Sequence, residues 1–156
     1  MVQRGFYLSS IGGIWIEEEE EHIVGIFLGK KEVYPILEES TLLKEAKKQL
    51  EEYFYGKRKK FCLPLNPKGT TFQKKVWEAL QAIPYGQTRS YKELAKIVGS
   101  PKAYRAVGGA NHRNQILIVI PCHRIIGANG ELVGFGSGVE IKKYLLELEM
   151  RNLKEL

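Results

Sequence analysis

Residues 116–127 read ILIVIPCHRIIG and set a thiol, an imidazole and a guanidinium in a row at Cys122, His123 and Arg124. A structural cysteine behaves as a small hydrophobe inside an apolar face. Cys122 instead stands where an apolar run ends at Pro121 and the chain turns polar, which suits a reactive thiol. A thiol nucleophile needs thiolate character from a nearby base, a cation or a helix N-terminus. Neighbouring side chains seldom point at each other, so a bridging water or a bend at Pro121 is needed to couple Cys122 to His123. A buried cysteine beside a salt-bridged histidine fits these residues equally well. Zinc is a poor fit: Cys62, Cys122, His22, His112 and His123 show neither C-x-x-C nor H-x-x-x-H spacing. All 18 acidic residues are glutamates. A third member of a Cys–His relay is therefore a glutamate, an amide or a backbone group, and aspartate-based metal nuclease chemistry is disfavoured.

The elements that must position these groups fall into two parts. FYLSS, GIWIEEE and HIVGIFLG read as meandering antiparallel strands, with Glu17–Glu21 at a solvated hairpin. A helix follows from Ser40 or Thr41, with Leu42, Leu43, Ala46, Leu50, Tyr53 and Phe54 on one face and Gly56 at its end. KRKK at 57–60 is a solvated loop. LPLNPKG carries two prolines and a glycine and marks a boundary: an N-terminal α+β domain over 1–63, a linker over 64–69 and a C-terminal domain over 70–156. In the second part Thr70 or Thr71 caps a helix whose face carries Phe72, Val76, Trp77 and Leu80. Ser90 and Glu93 form a capping box, and Ser100-Pro101 offers the N-cap serine and first-turn proline of the next helix. The pair makes a helix-turn-helix. ILIVI reads as a buried strand delivering Cys122. ANGELVGFGSG is a glycine-rich loop, and Val139, Lys142, Lys143, Leu145, Leu146 and Met150 suit an amphipathic final helix.

The second helix of the pair, around Tyr104, Arg105, Ala106, Gly108, Gly109 and Ala110, carries little side chain. Each interior glycine costs about 1 kcal/mol relative to alanine, so close packing on another helix or close approach to another surface must compensate. Charge favours the second. The net charge is +6, yet residues 1–63 sum to −1 and residues 68–124 to +8. A basic half of this kind meets a polyanion by neutralising phosphates, and Arg105 is long enough to reach between bases. No apolar run approaches the ~20 residues of a membrane span and no signal-peptide pattern opens the chain, which points to a cytoplasmic protein. The Lys and Glu enrichment is of the kind seen in thermophiles.

Together, IPCHRII, SPKAYRAVGGANHRN before it, GFGSG after it and Glu149 resemble the O6-alkylguanine-DNA alkyltransferases over residues 70–150. The resemblance implies a ribonuclease-H-like N-terminal sheet with a helix and a winged-helix-like C-terminal domain, α+β overall, acting without a cofactor or metal. It implies DNA repair by a single irreversible transfer of an alkyl group from O6 of a flipped guanine to Cys122. His123 would deprotonate the thiol through a water and Glu149 would polarise His123. Tyr91 would hydrogen-bond the leaving guanine and Asn114 would brace the turn. Arg105 would enter the base stack, with Tyr104, Ala106, Gly108, Gly109, Ser90 and Arg124 along duplex DNA in its minor groove. Ile125, Phe135 and Gly136 would line the base pocket beside Tyr91, with Phe135-Gly136 standing where some members carry Tyr-Ser. A monomer is implied, with no membrane association. Two other readings leave a feature unexplained. A lesion sensor or helix-turn-helix regulator has no use for the thiol, and a cysteine hydrolase has none for the basic helix.

Overall fold

The computed structural model describes residues 1–30, 38–132 and 138–153, and the chain divides into compact units over 1–67 and 68–156. The first unit is a three-stranded antiparallel meander, β1 (Val2–Ser9), β2 (Gly12–Glu19) and β3 (His22–Leu28), with one helix, α1 (Thr41–Phe54). Ile14 and Ile16 of β2 and Ile23 and Ile26 of β3 are buried, as are Leu43, Ala46, Leu50 and Tyr53 of α1. The N-cap is Ser40, whose oxygen accepts from Leu43 N at 3.1 Å and whose hydroxyl donates to the buried Glu18 carboxylate. The proline-rich segment takes part in this unit: Ile23 N donates to Pro64 O at 2.8 Å and Asn66 N to Ile23 O at 2.9 Å.

The β2–β3 hairpin turns at Glu20 and Glu21, both left-handed at φ 50° and 63°. Such a pair is ordinarily Asn-Gly, because a Cβ there crowds the next carbonyl at about 1–2 kcal/mol per residue. Glu20→Asn with Glu21→Gly should therefore stabilise the protein by about 1 kcal/mol, read as a higher urea midpoint at unchanged slope. An unchanged or lower midpoint would show that these glutamates carry no turn strain.

The second unit is helical: α2 (Thr71–Gln81), α3 (Tyr91–Ile97), α4 (Tyr104–His112) and α5 (Val139–Asn152), with a short parallel pairing of β4 (Arg89–Ser90) and β5 (Ile125–Ile126). Thr70 and Ser90 head complete capping boxes with Gln73 and Glu93. The buried Trp77 ties α2 to α4 by donating Nε1–H to Ala110 O at 2.8 Å. Among the described residues no helix is long and apolar enough to cross a membrane.

Three elements differ from their expected form. Helix α4 starts at Tyr104 and its cap, Ala103, makes no side-chain bond. Ser100 O accepts from Ala103 N at 2.9 Å, so Pro101 serves at the second position of a tight turn, where its fixed φ is equally favoured. The run ILIVI is no strand. Leu117 O accepts from Val119 N at 2.8 Å around Ile118, which has φ +70°. Ile120 O accepts from Cys122 N at 2.8 Å around Pro121, at φ −81° and ψ 65°. These are consecutive three-residue turns, the first of the rare left-handed kind. All five residues are buried, and burial without a neighbouring strand produces the same apolar run as a strand does. Helix α5 buries Lys142, Leu145, Leu148, Glu149 and Asn152, while Val139 and Met150 are exposed.

Candidate active site

The turn out of the 116–121 segment opens a single 3-10 turn over Cys122–Arg124. Its shape is set by Asn114. The Asn114 carbonyl oxygen accepts from Ile116 N at 3.0 Å, and its Nδ2 donates to Ile120 O at 2.7 Å and to Cys122 Sγ at 3.2 Å. One amide thus satisfies backbone groups of the 116–120 segment and holds the thiol as well. Cys122 is 6 % exposed. Burial pushes its thiol up, against which the Asn114 hydrogen bond and the positive charge of Lys142 pull it down.

His123 is wholly buried and is fixed by its Nε2–H, which donates to Glu149 Oε2 at 2.6 Å. Among the described residues its Nδ1 has no hydrogen-bond partner. Burial holds the imidazole below its ordinary pKa, with the Glu149 hydrogen bond and charge opposing and Arg124 and Lys142 reinforcing. The ring is therefore neutral, with Nδ1 carrying the lone pair.

Glu149 lies one turn from the C-terminal end of α5's buried face and gathers four donors among the described residues. Besides His123, it accepts from Arg124 Nε at 2.9 Å, Arg124 Nη2 at 3.1 Å and Gly86 N at 3.1 Å. Burial pushes its carboxyl up, but the hydrogen bonds and charges of His123 and Arg124 outweigh that and hold it well below the usual range. Arg124 is also closed on its other side. It donates Nη1–H to Ile83 O at 2.7 Å, and its guanidinium stands 5.7 Å from the Tyr85 ring centroid.

These contacts correct two expectations. Arg124 is buried in a forked ion pair with Glu149, so it cannot lie along DNA; the adjacent carboxylate draws it inward. Ile125 is wholly buried in β5, opposite Arg89, so its side chain belongs to the core and not to a pocket wall. Phe135 and Gly136 lie outside the described residues.

Tyr91 is the first residue of α3 and half-buried. Burial raises its phenol, a hydrogen bond with the buried Asn111 lowers it, and the nearby Cys122 raises it again. It stays protonated at neutral pH and can donate. Ser90 is held as the α3 cap, its oxygen accepting from Glu93 N at 3.1 Å. On α4, Tyr104, Arg105, Ala106 and Gly109 face solvent. A methyl group at Gly108 would meet the Tyr91 ring at an ordinary 3.6 Å, and one at Gly109 would meet nothing within 4 Å. The helix interior therefore does not require either glycine. Their smallness leaves the backbone on the outer face of α4 open.

Two residues were missed in the sequence. Asn111 hydrogen-bonds Tyr91, and Lys142, wholly buried on α5, draws the Cys122 thiol down by its charge. Asn111 sits among small helical residues with no pattern to mark it. In sequence Lys142 reads only as one of the residues of an amphipathic helix. Among the described residues no group of three or more His, Cys or Glu side chains is arranged to hold a metal.

Comparison with known proteins accounts for both units. Residues 2–67 match the family described as 6-O-methylguanine DNA methyltransferase, ribonuclease-like domain. Residues 71–151 match the one described as 6-O-methylguanine DNA methyltransferase, DNA binding domain. A methylated-DNA–protein-cysteine methyltransferase of Methanosarcina acetivorans is 51% identical, over 90% of this chain and 94% of its own. The constitutive one of Bacillus subtilis is 52% identical over 93% of each. The crystal structure of Mycobacterium tuberculosis OGT in complex with DNA superposes with a TM-score of 0.83 at 39% identity, covering 94% of this chain and 92% of that one.

Proposed function

The chain belongs to the 6-O-methylguanine DNA methyltransferase family, and from that premise we propose how its site works: an alkyl group leaves O6 of a guanine in duplex DNA and remains on Cys122. The protein repairs DNA by alkyl transfer to a cysteine, and DNA is its partner. What carries the assignment to Cys122 is the setting of that thiol: buried, held by Asn114 Nδ2, and followed in sequence by a neutral histidine locked to an ionised Glu149.

His123 Nε2–H is committed to Glu149, so Nδ1 is the atom that takes the thiol proton, through one water. Glu149 fixes that tautomer and stabilises the imidazolium when it forms. Arg124 and Gly86 keep the carboxylate ionised and in place. The sulfur attacks the alkyl carbon, the S–C bond forms as the C–O6 bond breaks, and the electron pair leaves on guanine. Tyr91 meets that developing charge with its O–H, aimed by Asn111. The product thioether is cleaved by no group in the site, so each chain reacts once. The exposed strip of α4 lies in the minor groove, with Arg105 filling the stack vacated by the flipped nucleotide. The protein works as a monomer in the cytoplasm.

Intact-protein mass tests the reading. A duplex with one O6-methylguanine should add one methyl group per chain, and the same duplex with guanine none. An unchanged mass despite tight DNA binding would leave a lesion-binding protein and remove the repair chemistry. Tyr91→Phe should slow the single-turnover rate about 100-fold without changing how fast iodoacetamide labels Cys122. An unchanged transfer rate would exclude the phenol from leaving-group stabilisation.

A further inference from the structure

Asn111 is a buried amide with one end unused. It is 2 % exposed and hydrogen-bonds the Tyr91 phenol, yet among the described residues its Oδ1 has no hydrogen-bond partner. The bond to Tyr91 therefore runs from Nδ2–H to the phenol oxygen, and Asn111 does not take the phenol's proton. A buried acceptor left unpaired costs more than a made hydrogen bond returns. A leucine would fill the position without that cost. His123 Nδ1 is unpaired in the same way and has a task as the base. Asn111 Oδ1 has no task in the proton and alkyl transfers.

The fold sets that amide beside the reacting groups. Gly108, Asn111 and Asn114 recur at three-residue spacing along α4 and the turn that ends it, so they share a face. A Cβ at Gly108 would stand 3.6 Å from Tyr91 Cδ1 and Cε1, which lays the phenol ring along this face. Asn114 N donates to Asn111 O at 3.4 Å, and Asn114 Nδ2 donates to Cys122 Sγ at 3.2 Å. Asn111 thus stands between the residue under the phenol ring and the residue that holds the sulfur. Three residues, about 4.5 Å of helical rise, separate it from each. Cys122 is itself 6 % exposed, so a base that reaches the sulfur enters the same closed space.

The chemistry of the lesion says what an acceptor there would meet. Alkylation at O6 removes the proton from N1, which leaves the 2-amino group as the one N–H donor on the edge of the base. N1 and N3, over which the leaving charge spreads, flank the carbon that bears this amino group. A phenol O–H beside an amide oxygen therefore matches a ring nitrogen beside an amino group, donor to acceptor and acceptor to donor.

We propose that Asn111 reads the guanine: its Oδ1 accepts from the 2-amino group of the flipped base while its Nδ2–H holds the Tyr91 oxygen. The idea rests on alkyl transfer from a flipped base to Cys122, and it narrows the substrate to O6-alkylated purines that carry a 2-amino group. Asn111 touches no reacting atom; it determines specificity.

Two duplexes test this, one with O6-methylguanine and one with O6-methylhypoxanthine, which lacks only the 2-amino group. Each lesion stands opposite an abasic site, so that neither differs in pairing. The unaltered chain should take methyl from the first about tenfold faster in a single turnover, and equal rates would overturn the proposal. Asn111→Leu should react with both at one rate. Asn111→Asp keeps an acceptor oxygen in either protonation state and should retain most of the preference. A merely structural Asn111 would slow both duplexes alike in Asn111→Leu and leave their ratio as in the unaltered chain, which would equally overturn it. Affinities measured in Cys122→Ala, which binds without transferring, separate this from the repair reading. Tighter binding of the first duplex, abolished by adding Asn111→Leu, with no methyl taken up by the unaltered chain, would sustain base reading and remove the repair chemistry. Methyl uptake with no such preference in rate or affinity would do the reverse.

Discussion

Cys122→Ala should take up no methyl group from a duplex bearing one O6-methylguanine, while the unaltered chain saturates at one. The expectation follows from what else could accept the group. His123 is neutral, but its Nδ1 lies in a wholly buried ring and its Nε2 is committed to Glu149. Lys142 is buried, with an amine still mostly protonated at neutral pH, and a protonated amine has no lone pair to attack with. Cys62 is exposed and belongs to the other unit, its backbone held by the Gln49 side chain. The variant removes one atom that accepts one hydrogen bond, from Asn114 Nδ2, while the backbone bonds of Asn114 to Ile116 and Ile120 remain. The turn should therefore survive, and with it DNA binding through the exposed face of α4. Intact mass and a binding titration on the same sample check both halves. Methyl uptake by the variant would move the acceptor elsewhere, and loss of both properties would show only that the turn needs the sulfur.

The difference between what sequence disclosed and what it hid is physical. The cap at Thr70 or Thr71 and the capping box at Ser90 were legible because such bonds are local, spanning three residues. The helix-turn-helix was legible for the same reason, with its second helix starting three residues late because Pro101 suits a turn as well as a first helical turn. Residues 116–120 were misread because an apolar run reports burial, while the long-range pairing that makes a strand lies elsewhere in the chain. Arg124 and Lys142 were misread in a related way. A basic residue's default is solvent; Arg124 is buried because Glu149 of α5 pairs with it, and Lys142 is carried inward on the buried face of α5 itself. Cys122 and His123 were singled out from the run around them, while their roles, and Glu149, came from the family resemblance. The structure adds the atoms involved: which imidazole nitrogen is committed, and how many donors share the glutamate.

Those four donors make Glu149→Gln the most costly single change outside the nucleophile. A glutamine can accept from His123, but it carries no charge for Arg124, whose guanidinium would be left buried and charged, with Ile83 O still accepting from Nη1. Breaking a buried ion pair from one side costs about 3–5 kcal/mol, out of the roughly 5–15 kcal/mol that holds a protein of this size. The loss should appear as a lower urea midpoint. The acid limb of the stability curve should change shape as well. Glu149 is held below its ordinary 4.5 in the folded state, so the unfolded chain binds the extra proton first and the carboxylate's contribution, full above that value, is lost as pH falls toward the depressed one. His123 is also held below its ordinary 6.5. It too favours folding at higher pH, with losses beginning as pH drops through that value. Wild-type stability should thus decline in two stages, first below about 6.5 as His123 is forced to charge and again below about 4.5 as Glu149 takes a proton. Glu149→Gln should lack the second stage. Alkyl transfer should slow about 100-fold at the pH where both proteins are folded, since His123 loses the charge that supports its imidazolium. A variant with the wild-type midpoint and an unaltered acid limb would mean that Arg124 and His123 do not depend on this carboxylate, and the relay proposed for the thiol would have lost its anchor.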